Sequence, residues 1–391
     1  MASLPDPFFR WLVDTRRTLH RHPELAYQEH ETAKILRREL DLLGVPYESG
    51  IGGTGIVATL TAESEGPVLA LRADMDALPI TEETDTPYRS LHTGVMHACG
   101  HDGHMTILLG VIRRLMETGF RENGRGRILF IFQPAEEGGA GAKAMLDSGF
   151  FDDLPVAAVF AGHLFPEIPV GQVGIPPEVA CAATDTLTFR MAGRGGHGAR
   201  PEQCIDPIVA GAALVTQLQS LISRSLSPFD TTVLTIGHFT SGSTDNVIPD
   251  SALLEGTLRT FSEENRERAL SRVAEMVSGI DLSYGTRTEF IRTEGYPVLQ
   301  NSPALLRHLA SSAEHLFGGD NVLGEKASSG GEDFAYFCRA WGGAMAKLGC
   351  HDPRKGFQHP LHSPLFDMDE RVLEVGTLLF ARVLTTFSAG S

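Results

Sequence analysis

Runs of apolar residues separated by glycine- and proline-rich turns divide the first part of the chain into strands and helices. Apolar positions recur at helical spacing over 31–43 and Gly44 follows them, which predicts a helix. The run 128–132 is continuously apolar and predicts a strand covered on both faces. The full pattern predicts helices within 7–43 that break at His22 and Pro23, two strands within 45–60, strands over 68–72, 127–133 and 156–161, and helices over 105–116 and 142–148.

The pattern changes near Cys181. The predicted elements there are a strand over 184–192, a helix over 206–223, strands over 232–239 and 252–260, a helix over 263–278 and a strand over 286–292. This β-α-β-β-α-β order is typical of a small antiparallel sheet with helices on one face. Beyond Gly295 the pattern predicts helices over 303–317 and 369–387, and a glycine turn that enters a helix at 328–334.

These patterns predict an α/β protein with more than one domain, because 391 residues exceed one ordinary hydrophobic core. Strands alternating with helices predict a main domain with a mostly parallel mixed sheet and helices on both faces. The second pattern predicts an inserted α+β domain. We expect the main domain to comprise 1–182 and 294–391, and the insert to comprise 183–293.

Composition and charge limit the partners of the chain. Hydrophobic residues make up 42% and charged residues 21%, as in a globular protein, and the net charge of −16 disfavours nucleic acids and anionic membranes. No apolar run approaches the roughly 18 residues that cross a membrane, and residues 1–10 do not resemble a signal peptide. The five scattered cysteines predict free thiols in a reducing compartment, which suggests the cytoplasm.

Groups that bind metals are concentrated in residues 97–104, which read His-Ala-Cys-Gly-His-Asp-Gly-His. Imidazole, thiol and carboxylate groups bind transition metals, and glycines let the backbone bring them together. The alternative is an ordinary helix N-terminus whose His and Asp side chains only cap and pack. Predicted strands end in further candidates, namely Asp74 and Asp76, Glu136 and Glu137, and His163. Because parallel strands end at one sheet edge, these groups favour a metal site there.

A site for two metals requires several ligands and a separate base. The best ligand set is Cys99, His101, Glu137, His163 and His362. Adjacent carboxylates suit two tasks, since Glu137 can bind metal while Glu136 acts as general base. Asp76 would orient a ligand imidazole, and Asp74 and Asp102 are alternatives for that task. A thiolate ligand favours zinc, whereas carboxylate and imidazole also accept manganese or cobalt.

Other interpretations of these residues remain open at this point. Cys99 could be a catalytic nucleophile activated by a histidine, although this leaves the glutamate pair without a role. His20 and His22 are better explained by helix-end or packing roles than by metal binding. In the insert, His197 lies among glycines and could stabilise an oxyanion, although spacing alone favours a solvent-exposed loop histidine.

Two further residues of the insert are candidates for substrate binding. Asn246 precedes a predicted strand, and Arg259 lies on one. Arginine suits a bidentate grip on a carboxylate, although an isolated arginine on a strand is usually only a surface charge.

Motifs along nearly the whole chain resemble those of the di-metal amidohydrolases. This family includes hippuricases, plant auxin-conjugate hydrolases, and N-acyl amino acid and N-acetyl-diaminopimelate deacylases, and it is related to aminoacylase and glutamate carboxypeptidase. The matching motifs are L-H-R-H-P-E-L (19–25), R-A-D-M-D-A-L-P (72–79), H-A-C-G-H-D-G-H (97–104), P-A-E-E-G-G (134–139), G-H-L-F-P (162–166), G-R-G-G-H-G-A-R-P (193–201), G-G-E-D-F (330–334) and L-H-S-P (361–364).

The resemblance implies two divalent metal ions per subunit, zinc or else manganese or cobalt, held by the five ligands named above, with Glu136 as base. Cysteine at position 99 marks the thiolate-containing branch. The insert would be a lid and dimerisation domain, whose His197 reaches a partner subunit's active site in a homodimer or higher homo-oligomer. Asn246, Arg259, Gly330 and Gly331 would line the substrate pocket, with Arg259 binding a carboxylate. Residues 202–204 depart mildly from the family pattern.

The expected activity is therefore hydrolysis of a small-molecule N-acyl amino acid, such as a hippurate-like or N-acetyl conjugate. A dipeptidase or carboxypeptidase with the same metals is the alternative enzyme. A binding protein that has lost the chemistry is disfavoured, because Glu136 and all five ligands are present. A thiol hydrolase would be inhibited by alkylation but not by chelators.

Overall fold

The computed structural model describes residues 3–387, which form two compact units. Of these described residues, the large unit comprises those within Met1–Ala180, Gln300–Lys326 and Asp333–Ser391, and the small unit comprises Cys181–Leu299 and Ala327–Glu332. The domain limits expected from the sequence, and the lid and dimerisation roles of the insert, stay predictions. Among the described residues, no helix is both long enough and apolar enough to cross a membrane.

Strands and helices alternate along most of the described chain. In chain order the strands are β1 (Tyr47–Ile51), β2 (Gly55–Thr61), β3 (Ser64–Asp74), β4 (Arg125–Gln133), β5 (Val156–Pro169), β6 (Val173–Ile175), β7 (Val179–Cys181), β8 (Ala183–Ala192), β9 (Gly196–His197), β10 (Thr232–Ser241), β11 (Val247–Ile248), β12 (Ser251–Thr260), β13 (Arg287–Glu294), β14 (Leu299–Gln300), β15 (Val322–Gly324) and β16 (Gly343–His351). The α-helices are α1 (Asp6–Arg21), α2 (His30–Leu43), α3 (His101–Glu117), α4 (Phe120–Asn123), α5 (Gly141–Asp147), α6 (Pro207–Ser220), α7 (Glu263–Tyr284), α8 (Pro303–Phe317), α9 (Phe334–Trp341) and α10 (Arg371–Thr386).

The large unit is built on a mixed, mostly parallel sheet with the order β1-β2-β4-β3-β5-β16-β6-β15. The pairs β4–β3, β3–β5 and β5–β16 run parallel, whereas β1–β2, β2–β4 and β16–β6 are antiparallel. The end of β4 is buried on both faces, as its apolar run predicts. Helix α3 is apolar on nearly all sides and accordingly buries most of its residues. This architecture confirms the predicted α/β class.

Strand β16 was not predicted, although it lies next to β5 inside the sheet. Its sequence contains two glycines and a lysine, residues with little preference for strands. A Cβ at Gly349 would lie 2.1 Å from the carbonyl oxygen of Pro169, so glycine is required for the close approach of the strands. Lys347 donates to a carboxylate oxygen of Glu325 at 3.2 Å. These requirements come from neighbours distant in sequence, which is why local pattern did not reveal the strand.

The small unit has the predicted β-α-β-β-α-β order, formed by β8, α6, β10, β12, α7 and β13. Its antiparallel sheet has the order β10-β12-β8-β13, and α6 and α7 pack on it around a separate apolar core. The predicted helix 206–223 ends at Ser220 and continues as a π-helical turn, Leu221–Ser225. This second sheet confirms the predicted α+β character of the insert.

Replacing Arg266 with methionine should strongly destabilise the small unit. The buried Arg266 guanidinium donates to both carboxylate oxygens of the buried Asp185, at 2.7 and 3.0 Å. Losing one partner of a buried ion pair costs about 3–5 kcal/mol, because the remaining charge stays desolvated. Arg292 still donates to Oδ1 of Asp185 at 2.8 Å, so we expect a loss at the lower end of this range. Urea unfolding followed by circular dichroism measures the loss. The control is Arg190→Met, which breaks the exposed pair with Glu289 and should cost no more than about 1 kcal/mol. Equal losses in both variants would contradict the prediction.

Candidate metal centre and active site

The entry into α3 holds the first two predicted ligands. Helix α3 begins at His101, not at 105 as the sequence suggested, so His101 and His104 belong to its first turn. Gly100 precedes it with a left-handed φ of 83°, which turns the chain so that Cys99 lies beside the helix start. Both Cys99 and His101 are buried. The tight turn therefore brings a thiol and an imidazole to the same place.

Hydrogen bonds orient the candidate imidazoles. Nδ1 of His101 donates to the carbonyl of Asp76 at 2.8 Å, and Nδ1 of His163 donates to the carbonyl of Leu164 at 2.8 Å. With Nδ1 as the donor, Nε2 is the ring nitrogen that carries the lone pair in each neutral imidazole, and a lone pair can bind a cation. His163 lies within β5 and not beyond its end, contrary to expectation, because β5 extends to Pro169. Its Nε2 is 3.5 Å from Sγ of Cys99.

His104 differs from these two histidines, since both of its ring nitrogens have partners. Nδ1 is 2.6 Å from Oδ1 of Asp74, and Nε2 accepts from the backbone N–H of Leu164 at 2.9 Å. Burial lowers the pKa of His104 to about 4, so the ring is neutral. Asp74 also binds Arg72 at 2.8 Å, and Arg72 binds Asp333 at 2.9 Å. This buried network supports α3 and β3 beneath the candidate site.

The glutamate pair lies in the loop that follows β4. The backbone N–H groups of Glu136 and Glu137 donate to the two carboxylate oxygens of Asp76, at 2.9 and 2.8 Å. Ala135 and Ala140 flank the loop with left-handed φ values of 53°, which are strained for alanine. The carboxylate of Asp76 therefore binds the glutamate loop, and the backbone carbonyl of Asp76 binds His101.

His362 comes from far along the chain. Its φ of 64° is left-handed, and its backbone N–H donates to the carbonyl of Ala98 at 2.8 Å. Nε2 lies 3.2 Å from Oε1 of Glu137, and about half of the His362 side chain is exposed. The structure thus brings together all five predicted ligands and Glu136, although their roles stay predictions.

The donor atoms form overlapping groups in which all atoms lie within 4.8 Å of one another. Three of these groups contain the predicted ligands, namely Cys99, His101 and His163, then Cys99, Glu137 and His362, then His101, Glu136 and Glu137. Cys99 belongs to two of the three, and Glu136 belongs to the third. Nε2 of His101 is buried without a hydrogen-bond partner among residues 3–387, and the buried Oε1 of Glu137 lies 3.2 Å from Nε2 of His362. Buried orphaned polar atoms are costly unless something binds them. The residues therefore fit two cations that share a ligand.

Electrostatics at the site oppose a thiol nucleophile. Burial raises the pKa of the Cys99 thiol well above its usual range, whereas a nucleophilic cysteine needs a lowered pKa. The His362 hydrogen bond overcomes burial to hold the pKa of Glu137 below its usual value. The bond to Glu137 in turn raises the pKa of His362. A cation that binds these groups must displace protons from Cys99 and His362.

Asp102 and His20 belong to a second buried network. Nε of Arg16 donates to Oδ2 of Asp102 at 2.7 Å, and Nδ1 of His20 lies 2.9 Å from the same oxygen. Asp102 therefore packs α3 against α1 and does not orient a ligand imidazole. Among the described residues, His20 belongs to none of the donor groups close enough to share an ion.

The predicted residues of the insert lie within the small unit. His197 on β9 faces Val247 of β11, it is exposed, and the carbonyl of Asn246 accepts from Gly198 at 2.9 Å. Arg259 pairs with Thr184 between β12 and β8. A Cβ on Gly331 would lie 2.8 Å from the Thr184 side chain, and Gly330 donates to Ser328 Oγ at 3.0 Å. His197 and Asn246 are thus neighbours, and Arg259 and Gly331 adjoin Thr184.

One buried carboxylate next to the glutamate loop was missed. Oε1 of Glu29 accepts the backbone N–H of Ala135 at 2.9 Å. No sequence signal marks Glu29, because its partner is 106 positions away and the contact involves backbone.

The fold and the geometry together define a class of protein. A mostly parallel sheet that gathers thiol, imidazole and carboxylate donors around adjacent glutamates is typical of metal-dependent hydrolases. The chain belongs to peptidase family M20/M25/M40, whose sequence model matches residues 70–386. It is therefore a hydrolase that acts on amide bonds, as the motifs predicted.

Individual relatives are similar over almost the whole chain. An N-acetylcysteine deacetylase of Bacillus subtilis is 37% identical, covering 96% of this chain and 96% of its own. The IAA-amino acid hydrolase ILR1-like 4 of Arabidopsis thaliana is 35% identical, covering 97% of this chain and 86% of its own. Among solved structures, Bacillus subtilis YXEP, a dinuclear metal-binding peptidase of the M20 family, has a TM-score of 0.85 at 34% identity and covers 97% of this chain and 98% of its own.

Proposed function

We propose that this protein hydrolyses the amide bond of N-acyl amino acids, releasing a carboxylic acid and a free amino acid. The observation that carries the proposal is the cluster of possible metal-binding side chains. Cys99 belongs to two groups of donor atoms in this cluster, and Glu136 lies next to Glu137 in it. The names of the relatives, an N-acetylcysteine deacetylase and an IAA-amino acid hydrolase, support acylated amino acids as the substrate class.

The five ligands proposed for two divalent cations are Cys99, His101, Glu137, His163 and His362. When bound, the cations would activate water and polarise the amide carbonyl. The thiol favours zinc, and manganese or cobalt would also suit the remaining donors. Glu136 takes the proton from the attacking water and then delivers it to the leaving nitrogen. Asp76 positions both glutamates and His101 for these tasks.

The small unit supplies the remaining proposed roles. We assign it as lid and dimerisation domain of a homodimer or higher homo-oligomer, in which His197 donates a hydrogen bond to the developing oxyanion. Asn246, Gly330 and Gly331 would line the substrate pocket, and Arg259 would bind the α-carboxylate of the substrate. All five cysteines are free thiols, which supports the cytoplasm as the location.

A substrate panel tests the proposed reaction. We expect kcat/KM for N-acetyl amino acids or hippurate to exceed that for their methyl esters by about 10- to 100-fold, because the ester cannot form a charged hydrogen bond with Arg259. Release of the free amino acid is the measurement, with an unblocked dipeptide in parallel. A preference for the dipeptide would support the peptidase alternative. No turnover of any member, in protein with its metals bound, would contradict the proposal.

A further inference from the structure

Three consecutive backbone N–H groups of the glutamate loop are each bound by a buried carboxylate. Asp76 accepts from Glu136 and Glu137, and Glu29 accepts from Ala135 at 2.9 Å. Both acidic residues are almost completely removed from solvent. Hydrogen bonds to buried charged groups are stronger than ordinary ones. The loop is therefore held at three consecutive residues.

Glu29 is itself fixed on its other oxygen. The hydroxyl of Thr54 donates to Oε2 of Glu29 at 2.6 Å, and Oε1 is the atom bound by Ala135. Neither oxygen can exchange these partners for water, because Glu29 is fully buried. The carboxylate thus connects the turn before β2 to the loop after β4.

The residue that Glu29 binds is one of the two residues of the loop with a strained backbone. Ala135 is fully buried and has a φ of 53°, a conformation that costs energy for any residue with a Cβ and persists only when neighbours enforce it. Glu136 follows it directly, so a change in φ at Ala135 would redirect the glutamate pair. Tyr27, two residues before Glu29, donates its hydroxyl to the carbonyl of Gly139 at 2.7 Å. The turn that precedes α2 therefore contacts both ends of the loop.

We propose that Glu29 is a positioning residue, which enforces the backbone conformation of Ala135 and thereby sets the positions of Glu136 and Glu137. The kinetic test of this proposal rests on the proposed function, whereas the spectroscopic test does not. A displacement of about 1 Å in a reacting group can cost about 100-fold in rate, so the loop needs such enforcement.

Three variants separate positioning from stability. Glu29→Ala removes both hydrogen bonds. Glu29→Gln keeps an acceptor for Ala135 and presents an amide donor to the Thr54 hydroxyl, so it should restore the loop. Glu24→Ala is the matched control, because Glu24 lies in the same turn and caps the backbone N–H of Thr32 at 2.9 Å. Its side chain has no hydrogen bond to the loop among the bonds of the described residues.

Two readouts are required, namely steady-state kinetics and the visible spectrum of protein loaded with Co²⁺, whose bands depend on ligand geometry. For Glu29→Ala we expect kcat to fall about 10- to 100-fold with KM changed less than about threefold, and the Co²⁺ bands to shift or weaken. Glu29→Gln and Glu24→Ala should match the wild type in both readouts. Lower thermal stability alone would not produce this combination.

Wild-type kcat and Co²⁺ bands in Glu29→Ala would overturn the proposal, and so would equal impairment of Glu29→Gln. If Glu29→Ala does not fold, Thr54→Val is used instead, since it frees one oxygen of Glu29 at nearly constant volume. It should shift both readouts in the same direction, and unchanged values would overturn the proposal. If the wild type binds Co²⁺ but hydrolyses no N-acyl amino acid, the proposed function fails while the spectra still test Glu29.

Discussion

Glu136→Gln should reduce kcat by about 100- to 10,000-fold while the protein keeps its metal content. The amide has nearly the shape of the carboxylate but cannot accept the proton of the attacking water, and general bases contribute about this factor. Glu136 is buried, and its backbone N–H is held by Asp76, so the substitution should leave the loop in place. Single-turnover and steady-state rates, together with elemental analysis for metals, measure the effect.

Glu137→Gln is the matched comparison for this prediction. Oε1 of Glu137 is buried and lies 3.2 Å from Nε2 of His362, and the residue belongs to two donor groups. We expect this variant to lose metal as well as activity, because an amide is a weaker ligand than a carboxylate. If Glu136→Gln retained a near-normal rate, or lost metal as Glu137→Gln does, the assignment of Glu136 as base would be wrong.

Removal of metal should abolish activity and lower stability. Chelation would leave Nε2 of His101 buried without a partner, and it would remove a ligand that binds only the folded state. At a free metal concentration of about 100 times Kd, binding contributes about 2.7 kcal/mol, so the melting temperature should fall by several degrees. Activity and melting temperature should both return when zinc, manganese or cobalt is added, at about two ions per chain.

The pH dependence of metal binding gives this prediction a second measurement. Burial raises the pKa of Cys99, and the bond to Glu137 raises the pKa of His362, so protons compete with the cation at both groups. The affinity should therefore decrease as the pH falls, and binding should release protons. The comparison variant is Cys99→Ser, which should bind metal more weakly. Activity that survives exhaustive chelation but is lost on alkylation of Cys99 would instead support the thiol hydrolase.

Much of the site followed from local sequence because its groups occur in short segments. Cys99 and His101 lie two positions apart at a glycine turn, and Glu136 and Glu137 are adjacent after an apolar strand. Strand and helix periodicity also predicted the β-α-β-β-α-β order of the small unit. These features depend on interactions between neighbours in sequence. The hydrophobic pattern and the backbone preferences of single residues are therefore sufficient to predict them.

By itself, then, the sequence determined the α/β class, the inserted α+β unit, the family and the types of group available for chemistry. Only the tertiary structure decided that β16 lies beside β5, that His163 lies inside a strand, and that the buried Glu29 binds Ala135. It also decided that His362 reaches Glu137. The physical reason is that these contacts join residues distant along the chain, through backbone groups and close packing that leave no periodic pattern in the sequence.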